Sequence, residues 1–112
     1  MELEKEIRWV GSSYGDLLAF PDEARRQAGF QLAKIQAGLD PDNWKPFDTV
    51  GPGTREIRVI EQEGAFRVMY VAKFVEAVYV LHGLQKKTQA TSRHDRQIAE
   101  MRYRAIANVR KA

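Results

Sequence analysis

Residues 81–92 read LHGLQKKTQATS. The apolar run before them delivers two adjacent ammonium groups, Lys86 and Lys87, into a cluster of small polar residues. No acid occurs between Ala77 and Arg93. A strand that ends in an uncompensated lysine pair has two physical explanations. One is a solvated hairpin exit. The other is a phosphate site: Thr88, Gln89, Thr91 and Ser92 add hydroxyl and amide donors. A helix beginning near Ser92 would add its N-terminal amides, which favour anions. Many donors without acids are what a phosphodiester requires.

A second group is Arg55, Arg58 and Arg67. If residues 54–62 and 65–74 form an antiparallel pair turning at Glu63-Gly64, Arg58 and Arg67 fall nearly opposite each other. Like charges directly opposed destabilise a sheet. The pair therefore needs a bound anion, or neighbouring acids such as Glu56 and Glu61, to neutralise it. Tyr70, on the other alternation from Arg67, suits the core with its hydroxyl reaching the edge. His82 lies in an apolar strand and suits a structural role, although a histidine beside lysines could titrate near neutrality. His94 belongs on the surface of a helix. Paired acids for acid–base work, a Gly-rich phosphate loop and a Ser-His-Asp set are not apparent, which argues against most hydrolase and nucleotide-binding classes.

The elements that must position these groups follow from periodicity. Ile7–Val10 alternates and reads as a first strand ended by Gly11. Ser12 and Ser13 can cap a helix, and Ser13 with Asp16 resembles a capping box; Leu17, Leu18 and Phe20 follow. Pro21 interrupts this helix. Asp22 and Glu23 then suit the first turn of a second helix, with Ala24, Ala28, Leu32 and Ile35 as its apolar face and Gly38 past its end. LDPDNWKPFDTVGPG reads as a loop packed down by Trp44 and Phe47. After it the period changes to two. TREIRVIEQ (54–62), AFRVMYVAKF (65–74) and AVYVLHGL (77–84) form an antiparallel meander. In the second of these, Phe66, Val68, Tyr70 and Phe74 share one face. A last helix over about 92–109 carries a stripe of Ile98, Met101, Ala105 and Val109.

The chain has 112 residues, enough for one domain over 1–112 with one core. It is 44% hydrophobic and 29% charged, an ordinary globular composition. Without cysteine there are no disulfides or thiolate metal sites, which suits a reducing compartment. The N-terminus, MELEKEIRWVGSS, has no apolar h-region and is not expected to be a signal peptide. Lys73 and Glu76 break the longest apolar stretch, so no membrane span is expected. A cytoplasmic protein is anticipated. The net charge is only +3, but its distribution is uneven. Residues 85–112 hold eight bases against two acids, a gradient that suits a polyanion or an acidic protein partner.

EIRV, AFRVMYV and YVLHGLQKKTQATS followed by a basic helix resemble the RelE/HigB toxins of type II toxin–antitoxin systems, in particular the phage-derived HigB-like branch. RWVGSSYGDLLAFP and the WKPF loop fit as well, so the likeness covers nearly the whole chain. The resemblance implies an α+β, RelE/ParE-like domain of order β-αα-βββ-α, with a small, mainly antiparallel sheet packed against helices. It implies an mRNA endoribonuclease, commonly acting on the ribosome, and inhibited by an antitoxin that often carries a helix-turn-helix domain. Arg67 then matches the family's arginine on the third strand, Arg58 that on the second, and Lys86-Lys87 the basic pair after the last strand. Thr88 and Gln89 stand where RelE carries its catalytic tyrosine.

In such a reaction RNA supplies its own nucleophile, the 2′-hydroxyl. Arg58 and Arg67 suit the non-bridging oxygens, being bidentate and permanently charged. A lysine among cations has a depressed pKa, so Lys86 or Lys87 can serve as base or acid, with Tyr70 and His82 in reserve. Arg55, Gln85, Thr88 and Arg93 are expected to contact RNA around this centre. No metal or other cofactor is expected. Arg67→Ala is expected to reduce cleavage far more than stability. Two alternatives remain: a ParE-like inhibitor of DNA gyrase without nuclease activity, and an RNA-binding module without turnover.

Overall fold

A computed structural model describes residues 4–86 and 90–111 of the chain. The elements are β1 (Glu6–Trp9), α1 (Ser13–Leu18), α2 (Asp22–Gln36), β2 (Trp44–Pro46), β3 (Thr54–Glu61), β4 (Gly64–Val71), β5 (Ala77–Lys86) and α3 (Arg93–Lys111). The sheet runs β1-β5-β4-β3-β2; β1 lies parallel to β5 and the other pairings are antiparallel. The result is a mixed fold of a five-stranded sheet and three helices.

The expected second helix forms with its expected face. Ala24, Ala28, Leu32 and Ile35 are all buried, since steps of three and four residues return to one side of a helix. Pro21 stands at its N-cap, a place where a missing N–H costs little. At the other end Gly38, at φ +86°, lets its amide reach the Ile35 carbonyl and the Leu39 amide reach that of Lys34. This is the pairing that closes a helix through a left-handed residue.

The meander also forms, with its first turn centred on Gln62-Glu63 rather than on Glu63-Gly64. Gly64 opens β4 at φ +135°, a conformation that needs glycine.

Helices cover both faces of the sheet. Leu17, Phe20 and the apolar face of α2 pack against Ile57, Val59, Phe66, Val68, Tyr70, Val78 and Val80. On the opposite face Ala99 and Ile106 of α3 pack against Met69, Val71, Tyr79 and Leu81. Burial on two sides explains why β4 and β5 read as nearly continuous apolar runs.

Four expectations need correction. WKP, read as loop, is a short edge strand: Trp44, Lys45 and Pro46 pair with Ile57, Glu56 and Arg55. An edge strand tolerates proline because one side of its backbone needs no ladder partner.

The stripe expected on α3 is not the buried one. Met101 and Val109 are exposed, while Ala99 and Ile106 are buried and Tyr103 is half-buried. The face toward the sheet includes Asp95 and Arg102, whose partners are polar groups of β5 and α1. Counting apolar residues therefore selects the wrong side.

Phe74 lies past the end of β4 and packs on the α3 side, against Tyr79, rather than with Phe66 and Tyr70.

The box expected at Ser13 and Asp16 does not form. Helix α1 is capped at Ser12 without a side-chain bond, because Arg102 takes the Ser12 hydroxyl at 2.8 Å and Asp16 turns toward β5.

Candidate phosphate-binding site

Strand register places Arg58 directly opposite Arg67. Both project to the α3 side, as does Glu56, two residues before Arg58 on β3. On β5 a β-bulge decides the outcome. Met69 pairs with His82 but the next residue, Tyr70, pairs with Val80, so Leu81 is extra. One added residue reverses the alternation beyond it. Leu84 then lies opposite Arg67 and Lys86 opposite Ala65, both on the α3 side. Without the bulge Lys86 would share the face of Val78 and Val80.

Lys86 is half-buried beside Arg67, Arg58 and Lys45. Burial is the main cause lowering its pKa, and those three cations push it further down; Glu56 opposes them. Glu56 is the one carboxylate at the centre and is wholly buried. It holds the Nη1 of Arg67, accepts a hydrogen bond from the Thr91 hydroxyl at 3.1 Å, and lies 3.8 Å from the Lys45 ammonium. Four cations thus converge on one acid among the described residues. The surplus positive charge is open to solvent through half-buried Lys45, Arg58 and Lys86. Such a constellation can take the non-bridging oxygens of a phosphate.

Arg67 is only 2% exposed, so it sits beneath this surface with its guanidinium committed to Glu56.

The remaining expected residues divide. Arg55 and Tyr70 pair with each other across β3 and β4, on the α2 side of the sheet. They do not join the Arg58–Lys86 group, because side chains one residue apart on a strand point to opposite faces. Gln85 pairs with Phe66 on that same far side and is exposed. Arg93 is exposed at the first residue of α3. Lys87, Thr88 and Gln89 lie outside the described residues.

The N-terminus of α3, expected to help bind an anion, is capped by the side chain of Ser92. The Asp95 amide bonds the Ser92 hydroxyl at 3.1 Å, and that hydroxyl donates to the Asp95 carboxylate at 2.6 Å. Burial pushes the Asp95 carboxyl up, but bonds from Ser92 and His82 outweigh it and hold the carboxyl below its ordinary value.

His82 is fully paired. Its Nδ1 lies 3.1 Å from Asp16 and its Nε2 lies 2.7 Å from Asp95, so the ring ties α1 and α3 to β5.

One contributor, Lys45, was missed by sequence reasoning, and Thr91, expected as a donor to phosphate beside the lysine pair, bonds a carboxylate instead. Lys45 was hidden in a stretch read as loop; reading WKP as an edge strand would have placed it beside Glu56. Thr91 reaches Glu56 across 35 residues of sequence, a contact no local pattern encodes.

No described helix is long and apolar enough to cross a membrane. Comparison with curated proteins gives no match. The family model for the phage-derived Gp49-like proteins (DUF891) matches residues 15–104, which takes in most of α1, all of α2 and of strands β2 to β5, the cation cluster and most of α3. The chain belongs to this phage-derived Gp49-like family, which is related to the RelE/HigB toxins.

Proposed function

We propose that the chain is the toxin of a type II toxin–antitoxin pair and a metal-independent mRNA endoribonuclease that inhibits translation, acting in the cytoplasm on ribosome-bound message. The observation that carries this reading is the bulge in β5, which brings the half-buried Lys86 onto the face of Arg58 and Arg67, beside Lys45. A lysine so placed has its neutral form within reach as a general base.

The 2′-oxygen attacks the adjacent phosphorus. The new 2′-O–P bond forms as the P–O5′ bond breaks, giving a 2′,3′-cyclic phosphate and a free 5′-hydroxyl. Lys86 takes the 2′ proton, and a neighbouring ammonium, Lys87 in this scheme, protonates the departing 5′-oxygen. Arg58 and Lys45 hold the non-bridging oxygens as charge builds on them. Arg67 acts from below, as a fixed charge beside Lys86. Arg55 and Tyr70 take no part in this step. A cognate antitoxin, expected to carry a helix-turn-helix domain, would silence the protein by laying an acidic segment over the same cations.

The commitment of Arg67 to Glu56 favours a second reading, an RNA-binding module that grips phosphate without cleaving it, because it leaves one cation fewer at the surface. Turnover separates the two. The wild type and a Lys86→Ala/Lys87→Ala double mutant of verified fold are induced in cells, and new 5′ ends on mRNA are mapped within minutes. Cuts within translated codons that vanish in the mutant support the ribonuclease. Growth arrest with intact mRNA overturns it in favour of a binding inhibitor or a ParE-like gyrase poison.

A further inference from the structure

The sheet face away from the cation cluster carries a feature that RNA cleavage does not use. A cavity of about 540 Å³ opens there between the C-terminal end of α2, the start of β3 and the segment after β4. Its size lies within the range of about 300–1,000 Å³ common for small-molecule sites.

Tyr70 lines this cavity and is 1% exposed; the Arg55 guanidinium stands beside its hydroxyl as a donor, and no described residue accepts the phenolic proton. Burial pushes the phenol pKa up and the nearby Arg55 only partly offsets that, so the group stays an O–H donor. Arg55 is itself a donor and cannot accept the phenolic proton. A buried donor without an acceptor is costly, and here it borders an open space.

The charged groups around it have one prevailing sign. Lys5, Arg55 and Lys73 line the cavity against a single carboxylate, Asp40, which Arg55 already holds at 2.9 Å. Three carbonyls at the end of α2 are already engaged. The Lys34 and Ile35 carbonyls receive the Leu39 and Gly38 amides, and the Gln36 carbonyl receives the Lys5 amide. Ile35, Leu39 and Ala72 provide apolar wall. Gly53, at φ +84°, lets the Lys73 stem cross its backbone where a Cβ would stand 2.8 Å from Lys73 Cδ.

We propose that this cavity is a binding site for a small organic anion, whose phosphate or carboxylate group sits among Lys5, Arg55 and Lys73 and accepts a hydrogen bond from the Tyr70 hydroxyl. The apolar wall takes the organic body. The site lies on the opposite face of the sheet from Arg58 and Lys86 and stands whether or not the chain cleaves RNA.

The test is calorimetric titration of the whole protein with adenosine 5′-monophosphate, citrate and inorganic phosphate, with amide chemical shifts of residues 35–40 and 53–55 as the locator. The monophosphate or citrate is expected to saturate and to move those amides, and inorganic phosphate to bind more weakly than the better of the two. Preference for the monophosphate assigns a phosphate ester; preference for citrate assigns a carboxylate. Tyr70→Phe removes only the hydroxyl. It is expected to weaken binding about tenfold, the loss of one hydrogen bond to a charged acceptor, without lowering the melting midpoint. Lys73→Met, at an exposed position that the fold does not need, is expected to weaken binding as well. Three results overturn the proposal. One is that neither organic anion moves the cavity amides. Another is that affinity is unchanged in both variants. The third is that Lys86→Ala abolishes binding, which would place the anion at the cation cluster.

Discussion

Arg67→Ala removes the partner of a carboxylate that has no exposure at all. Taking one member from a buried ion pair leaves the other charged and dry, at a cost of about 3–5 kcal/mol. Glu56 would retain the Thr91 hydroxyl at 3.1 Å and the Lys45 ammonium at 3.8 Å, so the lower end, about 3 kcal/mol, is the expected loss. Against a total stability of about 5–15 kcal/mol that is a large fraction. For a domain of this size it corresponds to a melting point lower by about 12–24 °C. Urea unfolding followed by far-UV circular dichroism measures it, provided the dependence on denaturant keeps its slope.

The double replacement Arg67→Met/Glu56→Leu should recover most of the loss, because apolar residues of similar volume need no partner. A loss below about 1 kcal/mol in the single variant, the level of an exposed ion pair, would refute the reasoning, as would a double variant no more stable than the single one. The expectation drawn from sequence, that Arg67→Ala would spare stability, is thereby reversed: burial makes this arginine a poor probe of catalysis. Lys86→Ala is the cleaner probe, being half-buried and paired to no carboxylate in the cluster.

If Lys86 is the base, cleavage should rise with pH and level off below the ordinary lysine value of 10.5, because its pKa is lowered. Lys45→Met removes one of the cations responsible and should move the pH–rate profile toward higher pH; an unmoved profile would exclude Lys86 as the titrating group. The Arg110 guanidinium, with the Tyr79 hydroxyl, holds the Glu76 carboxyl down at about 2. A depressed folded-state pKa gives stability that is complete above the ordinary 4.5 and is lost as pH falls toward about 2. The urea midpoints of wild type and Glu76→Gln should therefore differ above that window and converge below it. Arg102→Ala strips donors from the Leu81 carbonyl at 2.7 Å and the Ser12 hydroxyl at 2.8 Å. It should cost about 1–3 kcal/mol and speed amide exchange at residues 82–86; exchange confined to α3 would show that Arg102 does not hold β5.

Legibility in the sequence followed the physics of each element. Helix α2 was readable, with its buried face, because Ala24, Ala28, Leu32 and Ile35 recur at helical spacing and both ends carry their own signals, Pro21 and Gly38. The meander was readable because the period changes to two and short turns separate the runs, although the first turn was expected one residue too late. β2 was not, since three residues with a proline give too short a period to detect. Helix α3 misled because its buried face carries Asp95 and Arg102, which are satisfied by groups distant in sequence. Of the candidate site, charge and spacing picked out Lys86 and the pair Arg58 and Arg67 as two separate groups, and the resemblance to the toxins joined them. Arg55 and Tyr70 were grouped with them on charge and ring chemistry, although the alternation already set Tyr70 on the other face from Arg67.

The bulge at Leu81 connects these successes and failures. Strict alternation through AVYVLHGLQK would carry Lys86 to the α2 side, away from Arg67. The extra residue brings it back, and polar groups outside the strand hold that residue. Arg102 bonds the Leu81 carbonyl, and His82, next in the chain, is gripped by Asp16 from α1 and Asp95 from α3. The residues of α3 that spoil its apolar stripe are therefore the ones that hold the irregularity in β5. That irregularity in turn gathers the cations on one face. A sequence window containing β5 alone holds the lysines but not the reason they meet the arginines, because that reason is supplied from about 20 residues further along the chain and from the first helix.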